Sequence, residues 1–191
     1  MGAIYRFNVD VIKQAYNLIN YFETGTGEGT SLSHAMQTKF NRYISVEIYP
    51  KIHEKVAPLF PGAEVILGNS VDVMEKILPT LEGDTLFFLD AHFPGADFHF
   101  EAYDKPGEDR ERLPLEEELK LLKKYRSGNR DIVIIDDLRI YRDGPFHGGN
   151  WDVRSRLGKN DDSFIFNILG EMNKTVTVDW RDQGYIIGIP S

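Results

Sequence analysis

The sequence predicts an α/β fold, a doubly wound and mainly parallel sheet that closes with a C-terminal antiparallel hairpin. Three observations carry this. Strand and helix patterns alternate from Tyr21 to about Ile135. Two runs, Thr85 to Leu89 and Ile132 to Ile135, are apolar throughout, as strands covered on both faces are. Near the end, Thr175 to Trp180 and Tyr185 to Ile189 flank Asp182, Gln183 and Gly184, which reads as a hairpin.

Each element has a local signature. Ile12, Ala15, Tyr16 and Ile19 repeat at helical spacing, with Asn8 as a cap. A strand follows at Tyr21 to Thr24, then a glycine-dense turn from Gly25 to Gly29. Leu32, Ala35, Met36 and Phe40 predict one apolar face of the next helix. Tyr43 to Ile48 reads as a buried strand, and Pro50 opens another helix, where its missing N–H costs nothing. Val65 to Leu67 is a third strand, and Ser70 is placed to cap a helix from Val71 to Leu78. Pro114 to Arg126 is the clearest helix, with Glu116, Glu117 and Glu118 early and Lys123 and Lys124 late, as the helix dipole favours. That charge run reads as a solvated face without function. Phe164 to Met172 is helical by pattern. His92 to Leu113 and Arg139 to Asp162 are long, irregular connections of the kind that often carry function.

The 191 residues suit one domain spanning 1–191. There is no cysteine, which excludes disulfides, thiolate zinc sites and cysteine nucleophiles. Met1 to Asn8 lacks the apolar run of a secretory leader, and no stretch is apolar enough for a membrane span. The expectation is a cytoplasmic protein. Twenty-two basic against 30 acidic residues leave a net charge of −8, which argues against nucleic-acid and anionic-membrane partners. A small molecule is the expected partner.

The run Glu23-Thr24-Gly25-Thr26-Gly27-Glu28-Gly29 joins a strand to a helix, so its backbone can turn sharply and admit a ligand closely. Glu47 ends the next strand 20 residues after Gly27, where a carboxylate accepts both hydroxyls of a ribose. NAD and S-adenosylmethionine both fit that description. The spacing Gly25-x-Gly27-x-Gly29 departs from the dinucleotide pattern Gly-x-Gly-x-x-Gly. Glu23 and Glu28 would repel a diphosphate but tolerate an ammonium and a sulfonium.

On these residues the sequence resembles the class I S-adenosylmethionine-dependent methyltransferases. "YFETGTGEGTS" is similar to their first motif, "YISVEIYP" to their second, and "VILGNSVDVM" to the stretch that holds adenine. The resemblance implies a Rossmann-like domain and cofactor-binding roles for Glu23, Gly25, Thr26, Gly27, Gly29, Glu47, Asn69, Ser70 and Asp90. For Ser70, a helix cap is the compatible alternative.

Two acidic strand ends stand out. "LFFLDAHF" ends the fourth strand at Asp90, and "IVIIDDLR" ends the fifth at Asp136 and Asp137. Ligands of open α/β sheets bind beyond these ends. Clustered carboxylates suit Mg²⁺ or Ca²⁺ and repel one another without a cation. This is similar to the metal-dependent O-methyltransferases, the catechol O-methyltransferase group and those acting on sugars of natural products. The resemblance implies a divalent cation, Mg²⁺ first, on Asp90, Asp136 and Asp137. Asp137 stands where the catechol group has Asn, and that group's lysine base is missing here. His92 is the nearest candidate base and Asp90 its catalytic neighbour; a histidine bonded to a loop is the other reading. The expected function is metal-assisted O-methylation. A non-catalytic S-adenosylmethionine-binding module and an NAD-dependent oxidoreductase are the rivals.

The catechol group carries N-terminal helices over its pocket that are absent here, so the two long loops are expected to cover the site. Arg139, Arg142, Arg154, Arg156 and Lys159 face only Asp143 and Asp152, with Trp151 and Phe146 interleaved. Arg154, Arg156 and Trp151 are therefore expected to grip the acceptor, an anion such as a sugar acid or a nucleotide-linked sugar. The alternative is that these arginines pair with the acidic body.

Overall fold

The computed structural model describes residues 4–103, 109–150 and 161–191. The strands are β1 (Asn20–Thr24), β2 (Arg42–Glu47), β3 (Glu64–Leu67), β4 (Thr85–Leu89), β5 (Ile132–Ile135), β6 (Lys174–Asp179) and β7 (Tyr185–Pro190). They form one sheet of order β3-β2-β1-β4-β5-β7-β6. The first five are parallel; β7 pairs antiparallel with β5 and with β6. The mainly parallel sheet and the closing hairpin are therefore both present.

The helices are α1 (Val9–Tyr16), α2 (Thr30–Ala35), α3 (Pro50–Val56), α4 (Ser70–Ile77), α5 (Asp109–Arg112), α6 (Leu115–Arg126) and α7 (Ser163–Glu171). Strand side chains alternate between two cores, as the period of two requires. Phe22, Phe87, Leu89, Val133 and Ile135 pack with α4, α6 and α7. Tyr21, Leu86, Phe88, Ile132 and Ile134 pack with α1, α2 and Ile4. Burying each such large apolar side chain contributes about 1.5–3 kcal/mol.

Three local expectations are corrected. The helix expected through Phe40 stops at Ala35, because the Tyr43 hydroxyl donates to the Thr38 carbonyl at 2.5 Å and accepts from the Phe40 amide at 2.9 Å. Those backbone groups find a side-chain partner instead of another helical turn. The cap of α4 is Asn69, whose Oδ1 accepts from the Val71 amide at 2.9 Å, while Ser70 is the first helical residue. Glu118 is not solvated; it is 1% exposed, on the buried stripe of α6 formed with Leu115, Leu119 and Leu122. Among the described residues, no helix is long and apolar enough to cross a membrane.

Candidate active site

β1 is paired on one side with β2 and on the other with β4, so the strand order reverses there. A cavity of about 370 Å³ opens beyond the carboxyl ends of these strands. Its size is within the range of small-molecule sites. Gly25, Thr26, Gly27, Glu47, Asn69 and Ser70 line one part of it.

The glycine turn is held from two sides. Gly25 has φ +80°, and a Cβ there would lie 2.6 Å from the Asp90 carbonyl oxygen. The Gly27 amide donates to Glu47 Oε2 at 3.0 Å, and the Tyr49 amide donates to Oε1 at 2.8 Å. Burial raises the Glu47 carboxyl pKa, against those two amides and that of Ile48, which favour the anion. Each Glu47 oxygen keeps a lone pair for a ligand hydroxyl. Thr26 is tied to Ser45 through a 2.6 Å hydroxyl contact.

Two expected cofactor residues are placed otherwise. Glu23 does not line the cavity. It shares the face of Tyr21 on β1 and lies beneath the turn, accepting from the Tyr21 and Ser45 hydroxyls at 2.6 Å each. Burial pushes its carboxyl up to about 7, against those two bonds. Gly29 does not line the cavity either. It caps α2 at φ +76°, where a Cβ would meet the Phe60 ring at 2.4 Å, so its role is close packing.

Asp90, His92 and Asp137 face the turn across the same cavity. His92 Nε2 lies 2.8 Å from Asp137 Oδ2, and its Nδ1 lies 3.6 Å from Asp90 Oδ1. Burial opposes charge on the imidazole, but Asp137 first, then Asp136 and Asp97, outweigh it and raise its pKa. Asp90 is raised well above the usual carboxylate range by burial, Asp136 and Asp137. Asp136 is pushed up to about 8 by burial and Asp137.

The three carboxylates are only partly brought together. Asp90 and Asp137 line the main cavity, whereas Asp136 lines a separate space of about 10 Å³ behind His92, with Glu118 and Tyr141. Asp136 Oδ1 accepts the Asp137 amide at 2.7 Å, which turns it from the cavity. Among the described residues, no three metal-ligating side chains are gathered into a ligand set. The donors nevertheless suit a hard divalent cation in chemistry: all are carboxylate oxygens, Asp136 and Asp137 raise the pKa of Asp90, and Asp137 Oδ1 completes no hydrogen bond.

Sequence reading missed several residues of the site. Tyr5, Tyr103 and Gln183 line the cavity, as does Arg139 of the basic loop, whose Nε lies 3.4 Å from Asp137 Oδ1. For Tyr5, Tyr103 and Gln183 the only sequence signal was position in a loop or terminus. Glu118 carried a clearer one, the spacing Leu115, Glu118, Leu119, Leu122, which sets it on the apolar face. Neither of its oxygens completes a hydrogen bond; the Ser70 and Thr24 hydroxyls lie beside it without bonding geometry. Arg154, Arg156 and Trp151, expected at the acceptor, lie outside the described residues.

No protein-family model and no curated protein sequence matches the chain. Solved structures do match in fold. A methyltransferase from Podospora anserina with bound S-adenosylhomocysteine is 18% identical with a TM-score of 0.62, over 96% of this chain and 76% of that one. The O-methyltransferase TomG from Streptomyces achromogenes, in complex with S-adenosylmethionine, is 16% identical with a TM-score of 0.59, over 96% and 78%. Spermidine synthase from Thermotoga maritima is 13% identical with a TM-score of 0.56, over 96% and 57%. The chain thus has the Rossmann-like fold that these proteins share.

Proposed function

We propose that this protein is a methyltransferase that uses S-adenosylmethionine to methylate a hydroxyl oxygen of a small molecule, assisted by a divalent cation. Fold alone does not license this, since a spermidine synthase shares it. The observation that carries the proposal is one cavity with the Glu47-braced glycine turn at one wall and Asp90, His92 and Asp137 at the other. Glu47 would accept the ribose hydroxyls, and Asn69 and Ser70 would hold the adenine. His92 donates Nε2–H to Asp137, which leaves the Nδ1 lone pair to take the acceptor's proton. The acceptor oxygen attacks the methyl carbon as the carbon–sulfur bond breaks, and S-adenosylhomocysteine leaves. Asp137 and Asp90 stabilise the imidazolium that results. Asp90 and Asp137, which line the cavity, would hold the cation, which would supply Lewis-acid polarisation of the acceptor oxygen. Arg139, a cation lining the cavity, supports an anionic acceptor.

Calorimetric titration tests the cofactor reading. S-adenosylhomocysteine should bind and NAD should not, and Glu47→Ala should weaken binding by about 1–3 kcal/mol. Affinity unchanged in that variant removes Glu47 from the site. Chelation should abolish turnover, and Mg²⁺ should restore it, while cofactor binding survives. Full turnover in excess chelator would sink the cation's role.

A further inference from the structure

The segment before α1 is docked at both ends of the cavity. Its 3₁₀ turn, Ile4–Arg6, buries Ile4 completely, and the Ile4 amide donates to Ser31 Oγ at 3.3 Å. That bond fixes the turn to the start of α2, beside the glycine turn. On its other side, Arg6 makes a two-point ion pair with Asp182, with nitrogen–oxygen distances of 2.7 and 3.0 Å. The Arg181 guanidinium donates to the Arg6 carbonyl at 3.4 Å, and Phe7 meets Tyr185 edge to face at 5.1 Å. These contacts hold the segment to the β6–β7 turn, whose Gln183 lines the cavity.

Between the two anchors stands Tyr5. It is 43% exposed, yet it lines the cavity alongside Gly27, Glu28, Thr30 and Ser31. The Arg6 guanidinium lies 4.9 Å from its ring centroid and His34 meets its edge at 6.4 Å, so the ring is oriented rather than loose. A half-exposed aromatic ring at a cavity wall, fixed by neighbours on two sides, is a surface for a ligand to complete.

We propose that Tyr5 is a cofactor-binding residue, laid over the end of the cofactor held by the glycine turn, and that the Arg6–Asp182 pair latches it there. The inference rests on the S-adenosylmethionine reading of this cavity. It assigns the covering role to the segment before α1, where the sequence pointed to the two long loops. A ring over the ligand excludes water from one face, and an aromatic face favours the cationic ammonium and sulfonium.

The test is calorimetric titration of S-adenosylhomocysteine into the full chain. Tyr5→Ala should weaken binding about tenfold, the effect of losing one aromatic contact. Tyr5→Phe should stay within about twofold of wild type, because the ring and not the hydroxyl is what the position supplies. Arg6→Ala should weaken binding severalfold, and less than that in a Tyr5→Ala background, since it acts through Tyr5. Melting of the unliganded variants, compared with wild type, separates lost binding from lost fold. Tyr5→Ala that melts as wild type and binds within twofold of it overturns the proposal. A wild-type chain that binds no S-adenosylhomocysteine overturns the cofactor reading itself, and this inference with it.

Discussion

Glu118 stands third in a run of three glutamates. Glu116 and Glu117 reach Lys120 at 3.0 and 2.7 Å on the exposed face of α6, while Glu118 turns inward behind His92. Burial pushes its carboxyl from 4.5 up to about 7. An acid whose folded pKa lies above its unfolded value binds its proton more tightly when folded. Its contribution to stability is present below about pH 4.5 and lost as pH rises to about 7. Glu118→Gln keeps the shape and removes the charge. Urea denaturation should find it more stable than wild type by ~2–3 kcal/mol at pH 8, with the difference shrinking toward pH 5. A variant less stable at pH 8 would mean that the ionised carboxylate holds the site together. Glu23, beneath the glycine turn, is the contrasting case: its neighbours Tyr21 and Ser45 satisfy it. The inward direction of Glu118 was legible in its spacing with Leu115, Leu119 and Leu122; the partners of Glu23 were not.

At the scale of the element, the glycine turn shows why similar residues carry unequal weight. Gly25, Gly27 and Gly29 all have positive φ. A Cβ at Gly25 would press on the Asp90 backbone at 2.6 Å, and a backbone oxygen cannot swing aside. A Cβ at Gly27 would meet nothing within 4 Å. Gly25→Ala should therefore cost at least about 3 kcal/mol of stability and abolish cofactor binding. Gly27→Ala should cost only the left-handed backbone penalty, about 1 kcal/mol. Equal losses in urea denaturation would mean that the turn is not pressed against the Asp90 backbone just after β4. The glycine pattern was legible because turn chemistry is local. The division of labour within it was not, because Asp90 and Phe60 arrive from other elements.

At the scale of the molecule, the cavity joins residues from both ends of the chain, with Tyr5 at one wall and Gln183 at another. A ligand there ties β1, β2, β4 and the hairpin turn together, and should stabilise the fold as a whole. At a hundredfold excess over Kd, S-adenosylhomocysteine should add about 2.7 kcal/mol and raise Tm by about 5–10 °C. Thermal denaturation with and without ligand measures this, with NAD as the control. No shift at saturating ligand would count against a site that spans these elements.

The sequence by itself determined the order of strands and helices, the closing hairpin, the glycine turn with Glu47, and the acids at the ends of β4 and β5. Each depends on periodicity, turn residues or spacing within a short stretch, which local chemistry sets. Tertiary structure alone decided that Glu23 lies under the turn, that Asp136 faces Glu118 rather than the cavity, and that His92 lies between Asp90 and Asp137. It also decided that Arg6 meets Asp182 across 176 residues of chain. A side chain's direction and partners depend on which element packs against it, and no window of sequence contains that element.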